Sequence, residues 1–378
     1  MKKFLPNIFL MALGAGGIAV SGFVFLNYTV EHGKGLITFA QLHSYNFSLW
    51  NQIVYGFMEI YMVIFALIHL LLTVYLLPRY FSWVRTQKYQ EIKLNPLLNS
   101  SLLIPFVSFF MTFNVVLSVV RYFVPALSNN LQSIMSSGFV LWLALWLVLM
   151  FLEITILKNS FLQKFDLEKV NFSWLMQPFS LGMATVTGTG IAAMATNPNI
   201  AHAAAFVSAI SFTLAIFLLI LKLTVLFKKS FSMGQLPDNN SLPSFFMVIP
   251  IWTVLGISAF RYGHYLERQF DFHLGAYFVG VILLTFAFQT WYLFFSLVLS
   301  KDYISKNLFK EYHISQWGLV CPLVAYGVMG SFVYANFVAN AFLLNVIVAL
   351  SILFVIFYLY LLVKQLHCCG LVVAEDKK

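Results

Sequence analysis

Two adjacent cysteines near the C-terminus, Cys368 and Cys369, carry the most reactive side chains in this sequence. They follow His367 and precede Gly370, directly after the last long apolar run. Vicinal thiols beside basic residues can exchange disulfides, and they also bind soft metals or metalloid oxyanions. Palmitoylation beside the membrane is a further use, and many cysteines in such positions have no function. We therefore keep Cys368 and Cys369 as candidate redox thiols beside these alternatives.

A few charged side chains lie within apolar runs, where a charge is costly and usually functional. Glu59 lies deep in the second run and is the candidate proton relay, unless it is simply a hydrogen-bonded buried carboxyl. Glu153, near the end of the fourth run, is expected to reach the membrane interface. Arg121 and Arg261 lie at the outer ends of the third and seventh runs, either as a basic outer mouth or as interfacial anchors. The odd-numbered runs contain hydroxyl groups and these two arginines but no carboxylates. A path lined by such runs would suit an anion better than a cation.

Motifs for catalysis or cofactor binding do not occur in the sequence. It has no Walker loop, Rossmann fingerprint, zinc-type histidine pair or nucleophile elbow. Gly188-Thr189-Gly190 lies inside an apolar run, so it does not cradle a phosphate. The three cysteines, of which Cys321 is the third, fall on the predicted cytoplasmic side, where no disulfide framework is expected. We expect no enzymatic activity, no cofactor and no metal site.

The composition is that of a membrane protein. Hydrophobic residues make up 61% of the 378 positions and charged residues 9%, against about 25% charged in soluble domains. We predict an all-α polytopic protein, a single integral membrane domain over residues 1–378 with a cytoplasmic tail at 367–378. The ten predicted spans are 7–29, 51–76, 98–121, 135–157, 176–196, 202–227, 244–261, 273–299, 317–340 and 343–366.

The positive charge of the chain follows the predicted topology. The formal net charge is +9, which by itself would also fit a nucleic-acid-binding protein. With the N-terminus in the cytoplasm, however, 18 Lys and Arg residues fall inside and four fall outside. This bias is the positive-inside pattern of a protein with an even number of spans. We predict a bacterial inner-membrane protein with both termini in the cytoplasm and no nucleic-acid partner.

Five prolines recur near the start of every second span. They are Pro6, Pro105, Pro178, Pro250 and Pro322, at spacings of 99, 73, 72 and 72 residues. Such a repeat is long enough for a hairpin of two spanning helices. Because an interior helix proline costs about 3 kcal/mol, the recurrence indicates functional kinks. We predict ten helices as five hairpins with quasi-fivefold symmetry, in which the proline-kinked odd helices are inner and the even ones face lipid. Close packing through small residues is the alternative for each odd helix.

The residues ten positions after each proline are predicted to lie at a common depth in the membrane, since ten helical residues rise about 15 Å. The count reaches Gly16, Val115, Gly188, Phe260 and Phe332. We predict that Gly16, Val115 and Gly188, together with Thr187 and Thr189, line a path through the membrane. Phe260 and Phe332 would form its gate, because an apolar constriction blocks ions by dewetting. Alternatively, the two phenylalanines only face neighbouring helices.

This architecture and two glycine-containing segments resemble the tellurite-resistance/dicarboxylate transporter superfamily, which includes bacterial TehA proteins, plant slow anion channels (SLAC1) and yeast sulfite pumps. The segments are Leu13-Gly14-Ala15-Gly16-Gly17-Ile18-Ala19 and Gly188-Thr189-Gly190-Ile191-Ala192, and the likeness covers residues 5–366. The resemblance implies ten spans, internal termini and a pore plugged by a phenylalanine of the ninth helix, which would be Phe332. It also implies trimers in which each subunit has its own pore. The first helix and the overall size are similar to the TsoY branch, some of whose members are selenoproteins.

We therefore predict an anion channel or permease in which Phe332 and Phe260 restrict passage. Its partners would be a small inorganic or carboxylate anion, the lipid bilayer and further copies of itself in a homo-oligomer. Two alternatives stay open: a membrane thiol-redox protein that uses Cys368 and Cys369, and a proton-coupled exporter that uses Glu59.

Overall fold

The computed structural model describes residues 4–33, 35–234 and 236–370, and for Cys369 only the backbone. These residues form an all-helical protein without strands. The long helices are α1 (Phe9–Thr29), α2 (Leu49–Val84), α3 (Ile104–Val115), α4 (Leu131–Leu162), α5 (Met176–Met194), α6 (Pro198–Met233), α7 (Val248–Phe270), α8 (Gly275–Leu299), α9 (Val320–Asn336) and α10 (Ala341–Cys369). A π-helical turn at Val116–Val120 continues α3 into the short helix Arg121–Phe123.

Nine helices in the described part of the chain are long and apolar enough to cross a membrane. They correspond to nine of the predicted spans. The remaining predicted span, 176–196, coincides with α5, which is not among these nine and is rich in glycine and threonine. Nearly every residue of α5 is nevertheless buried, because protein surrounds this helix. Among the described residues, nine helices are therefore candidate membrane spans by length and composition, and a span at α5 stays a prediction.

The odd-numbered helices form a closed ring. In it α1 contacts α3, α3 contacts α5, α5 contacts α7, α7 contacts α9, and α9 contacts α1. The even-numbered helices pack outside this ring. The most apolar 18 residues of the α1 span are 94% buried, whereas the corresponding stretches of α8 and α10 are 28% buried. The difference between inner and outer helices in the sequence is thus a difference in burial.

Each of the five repeated prolines lies where a 3₁₀ segment changes to, or leads into, an α-helix. The 3₁₀ segments are Pro6–Ile8, Asn99–Leu103, Phe172–Leu175, Leu242–Met247 and Ile314–Leu319. Pro105 is the second residue of α3, and Pro178 is the third residue of α5. A proline in the first turn loses no intrahelical hydrogen bond, so the cost of an interior α-helical proline does not apply. A bend of the axis at these junctions stays a prediction.

The 3₁₀ segments also contact one another in a closed ring, which we call the collar. Two hydrogen bonds join successive members: Asn171 Nδ2 donates to Ser241 Oγ at 3.4 Å, and Ser315 Oγ donates to Asn240 Oδ1 at 3.3 Å. The collar encircles the end of the helix ring at which all odd helices begin. We refer to this as the collar end of the molecule.

A buried polar network joins the outer helices α4 and α6 to α5. Glu153 is fully buried and accepts hydrogen bonds from Gln177 Nε2 at 2.8 Å and Ser180 Oγ at 2.6 Å. Lys222 donates to Gln177 Oε1 and, at 2.8 Å, to the carbonyl of Trp174. Gln177 therefore bridges a carboxylate and an ammonium group. The expectation that Glu153 reaches the interface is wrong, because the bridge satisfies its oxygens inside the protein.

We expect Lys222→Met to destabilise the protein by about 3–5 kcal/mol, because it leaves the Glu153 carboxylate buried without a compensating cation. The measurement is the free energy of unfolding of the purified protein in detergent. Lys228→Met is the matched control, since Lys228 lies on the same helix and is exposed. Equal stability of the two variants would contradict a role for the network in holding α4 and α6.

Candidate functional site

A cavity of about 1060 Å³ lies inside the ring of odd helices and is lined by residues of all five of them. At the collar end its lining includes Cys321, Pro250 and Phe179. At the other end, which we call the mouth, it includes Glu267 and Arg268. No collar residue lines the cavity, although the whole collar is described. The cavity thus follows the ring axis from the first turns of the α-helices to the mouth.

Three aromatic side chains meet within this cavity. The ring centroids of Phe260 and Phe332 are 5.2 Å apart, with the rings nearly perpendicular at 88°. Tyr28 lies against Phe332 at 4.1 Å and faces Phe260 at 6.5 Å. Phe332 is 2% exposed and Phe260 is 4% exposed. The three rings, which we call the aromatic cluster, come from α9, α7 and α1 and all line the cavity.

Tyr28 was not anticipated from the sequence, although a signal for it exists. The cavity-lining residues of α1 include Gly17, Val20, Val24 and Tyr28, which follow one another at three- and four-residue spacing. Residues at that spacing share one face of a helix. Following this stripe from Gly17, instead of counting from Pro6, leads directly to Tyr28.

The ten-residue count found the wrong face of three helices. A side chain at Gly16 would meet His69 and Met111, and one at Gly188 would meet Trp142 and Ser208. Val115 is completely buried and, like Thr189, is absent from the cavity lining. Thr187 does line it, as do the neighbouring positions Gly17, Asn114 and Gly190. Ten residues fix a depth along the axis, whereas the face that turns inward is set by how each helix packs in the ring.

The two arginines proposed for the outer mouth have different positions. Arg261 lines the cavity, and its Nη1 donates to the carbonyl of Val186 at 2.6 Å. A side chain at Gly190 would approach that nitrogen to 3.0 Å, so the glycine provides the space in which the guanidinium lies. Arg121 is buried outside the cavity lining and donates to the carbonyls of Leu117 and Ile37. The prediction for Arg121 as a basic mouth residue is therefore wrong.

The hydroxyl groups of the cavity wall are already used as donors. Thr187 Oγ1 donates to the Met183 carbonyl at 3.0 Å, and Thr253 Oγ1 donates to the Ile249 carbonyl at 2.8 Å. Ser118 makes the equivalent bond one turn back in α3. Asn114 Nδ2 donates to the Phe110 carbonyl and to Thr187 Oγ1, both at 3.0 Å. These side chains therefore bring few free donors into the cavity, contrary to the expected hydroxyl-lined path.

The mouth is formed by a cluster of charged residues on α7. His264 Nδ1 lies 3.5 Å from Glu267 Oε2, and its ring stands edge-on to Phe260 at 4.7 Å. Arg268 donates to the carbonyls of Ala193 at 3.2 Å and Met194 at 2.8 Å, at the end of α5. His264 and Arg268 line the cavity, and the sequence analysis did not identify them as site residues.

Glu59 lies outside the cavity. It accepts a hydrogen bond from Tyr122 Oη at 2.6 Å and lies 3.6 Å from His43 Nε2. These contacts and its absence from the cavity lining agree with the hydrogen-bonded carboxyl and give no route for a proton relay along the ring axis.

The three cysteines are not all at the cavity. Cys321 lines its collar end, whereas Cys368 is exposed near the end of α10. The side chain of Cys369 lies outside the described residues. Within the described part of the chain, no group of three His, Cys, Asp or Glu residues is arranged to hold a metal ion.

The whole chain can be compared with known protein families. A family model described as voltage-dependent anion channel (SLAC1) matches residues 3–366, which includes every helix that lines the cavity. A comparison with curated proteins found no match to the chain. Since the match extends over nearly the full sequence, this multi-pass membrane protein belongs to the SLAC1 family of anion channels, the superfamily that also contains the TehA proteins.

Proposed function

We propose that this protein passes a small anion through the cavity inside its ring of odd helices, as a channel or permease. The carrying observation is the position of Arg261, a cation inside a largely apolar cavity. The carboxylate that shares the lining, Glu267, lies six residues further toward the mouth and is paired with His264. A cation with no carboxylate beside it favours anions over cations in a narrow path.

The aromatic cluster is the proposed gate. Its rings line the space through which an ion would move, and apolar rings in a narrow path exclude water from it. Phe332 is the central member, since it contacts both Phe260 and Tyr28. An anion would pass when Phe332 rotates away from these two rings.

The ring of contacts supports the proposed arrangement of ten spans as five hairpins with quasi-fivefold symmetry. Both the odd helices and the collar segments close into rings of five. Hydrogen bonds also recur between residues about one repeat apart: Asn114 and Thr187 are 73 residues apart, and Val186 and Arg261 are 75 apart. Cytoplasmic termini, a bacterial inner membrane, a homotrimer and a place in the TsoY branch are further parts of this proposal, supported by charge distribution and resemblance.

The residues of the two alternative functions lie away from the cavity. Glu59 is outside the proposed path, and Cys368 lies at the far end of an outer helix. We therefore keep anion passage as the only proposed function.

Replacing Phe332 with alanine should open the path, because it removes the ring that contacts both other members of the cluster. We expect anion flux into proteoliposomes to rise about tenfold or more, the effect of lowering a barrier by ~1.4 kcal/mol. Phe354→Ala is the matched control, since Phe354 is fully buried on α10 and does not line the cavity. If both variants leave flux unchanged while remaining folded, Phe332 is a packing residue.

The cavity can also be probed through its own thiol. In a Cys368→Ser/Cys369→Ser background, Cys321 is the remaining cysteine of the chain. We expect an anionic methanethiosulfonate reagent to modify Cys321 in nanodiscs faster than a cationic one of the same reactive group. Phe332→Ala should accelerate this reaction about tenfold, by the same barrier argument. Preferential reaction with the cationic reagent would contradict an anion path, and Cys321→Ser provides the blank.

A further inference from the structure

Two side chains of the cavity lining, Tyr28 and Arg261, keep hydrogen-bond donors available inside it. Since the wall hydroxyls and Asn114 donate to protein acceptors, they cannot bind an anion without breaking a bond. Tyr28 lines the cavity, and its hydroxyl has no hydrogen-bond partner among the described residues. Arg261 has five N–H donors, of which one is bonded to Val186 within the described chain.

Tyr28 on α1 and Arg261 on α7 both line the cavity, and the ring of Tyr28 lies 6.5 Å from that of Phe260, the residue that precedes Arg261. Packing fixes both groups. The ring of Tyr28 lies against that of Phe332, with centroids 4.1 Å apart and the planes tilted by 34°, and the guanidinium donates to the Val186 carbonyl across the space left by Gly190. Two directed donor groups from different helices thus face one volume. An acceptor between them would complete hydrogen bonds that the protein itself leaves open.

The charge and the walls of the cavity restrict what such an acceptor can be. Arg261 compensates one negative charge, and Arg268, the second arginine that the described residues contribute to the lining, is at the mouth and bonded to two carbonyls. A second negative charge would therefore be buried without a partner, which is strongly unfavourable. The walls beside the pair are apolar and include Val20, Val24 and Val328.

We propose that Tyr28 and Arg261 form a carboxylate-binding site whose ligand is a monocarboxylate with an apolar body. The carboxylate accepts hydrogen bonds from the Tyr28 hydroxyl and from free N–H groups of Arg261. The apolar body lies along the valine and methionine side chains of the cavity wall. This inference rests on the proposed anion path and names the class of anion and a specificity-determining residue, Tyr28. Because Tyr28 also contacts Phe332, a ligand held here lies directly beside the proposed gate.

The test is calorimetric binding to the purified full chain in lipid nanodiscs, which does not require flux. The probes are butyrate, pentanoate and hexanoate, with chloride and succinate for comparison. Each added methylene that enters the apolar wall should strengthen binding by roughly fourfold, the equivalent of about 0.8 kcal/mol. Succinate should bind more weakly than butyrate, which has the same number of carbons and one charge fewer.

Tyr28→Phe keeps the ring on Phe332 and removes the hydroxyl alone, so it should weaken hexanoate binding by about tenfold or more. Arg261→Gln should abolish the preference for carboxylates. Tyr358→Phe is the matched control, since Tyr358 is a buried tyrosine whose hydroxyl donates to the Met11 carbonyl and does not line the cavity. Its affinity for hexanoate should equal that of the unaltered protein.

Affinity that does not change with chain length, tighter binding of chloride or succinate, or equal affinity in Tyr28→Phe would each overturn the proposal. The chain-length series uses the unaltered protein, so it decides the question even if a variant fails to fold. If hexanoate binds as expected but Phe332→Ala passes no anion, the site stands and the proposed conduction fails. If anions pass but the affinity for hexanoate is the same in Tyr28→Phe, the proposed conduction stands and the proposed binding site is wrong.

Discussion

A polar hydrogen buried in apolar surroundings needs an acceptor, and this requirement shapes the interior of the ring. The wall hydroxyls of α3, α5 and α7 meet it by donating to carbonyls one turn back in their own helices. The cavity wall can therefore be largely apolar although it contains serine and threonine residues. The consequence is that the few donors without such acceptors, above all those of Arg261, dominate the chemistry of the cavity.

The same requirement divides the buried charges into two kinds. Glu153 and Lys222 are bridged by Gln177, and Arg121 is held by two carbonyls, so these groups are satisfied by the protein and stabilise helix contacts. Arg261 is bonded through a single nitrogen in the described chain and faces open space. A buried charge that the protein satisfies is structural, and one that it satisfies only in part is available to a ligand.

Glycines set the distances between the ring and the helices outside it. At Gly188 even a methyl group would reach within 2.2 Å of Trp142 on α4 and Ser208 on α6. At Gly190, two residues on, the space left by the missing side chain belongs to the cavity and accommodates Arg261. The two glycines of α5 thus act on opposite faces of the helix. Gly188 allows the outer helices to pack closely, and Gly190 leaves room for Arg261 inside the ring.

The sequence by itself determined the helical class, the position of nearly every long helix, and the distinction between inner and outer helices. These follow from local composition, because a helix in lipid must be apolar over about 20 residues. It also found Phe260, Phe332 and Thr187 as residues of the interior.

The sequence could not decide which face of each helix turns inward, so Gly16, Val115, Gly188 and Thr189 were misplaced and Tyr28 was missed. Nor could it predict that Arg121 and Arg261, two arginines in similar positions of their helices, have different surroundings. Their positions depend on which backbone carbonyls of other segments lie within hydrogen-bonding distance. Rotation about the helix axis and contacts between distant segments are set by packing of the whole ring, and only the tertiary structure contains them.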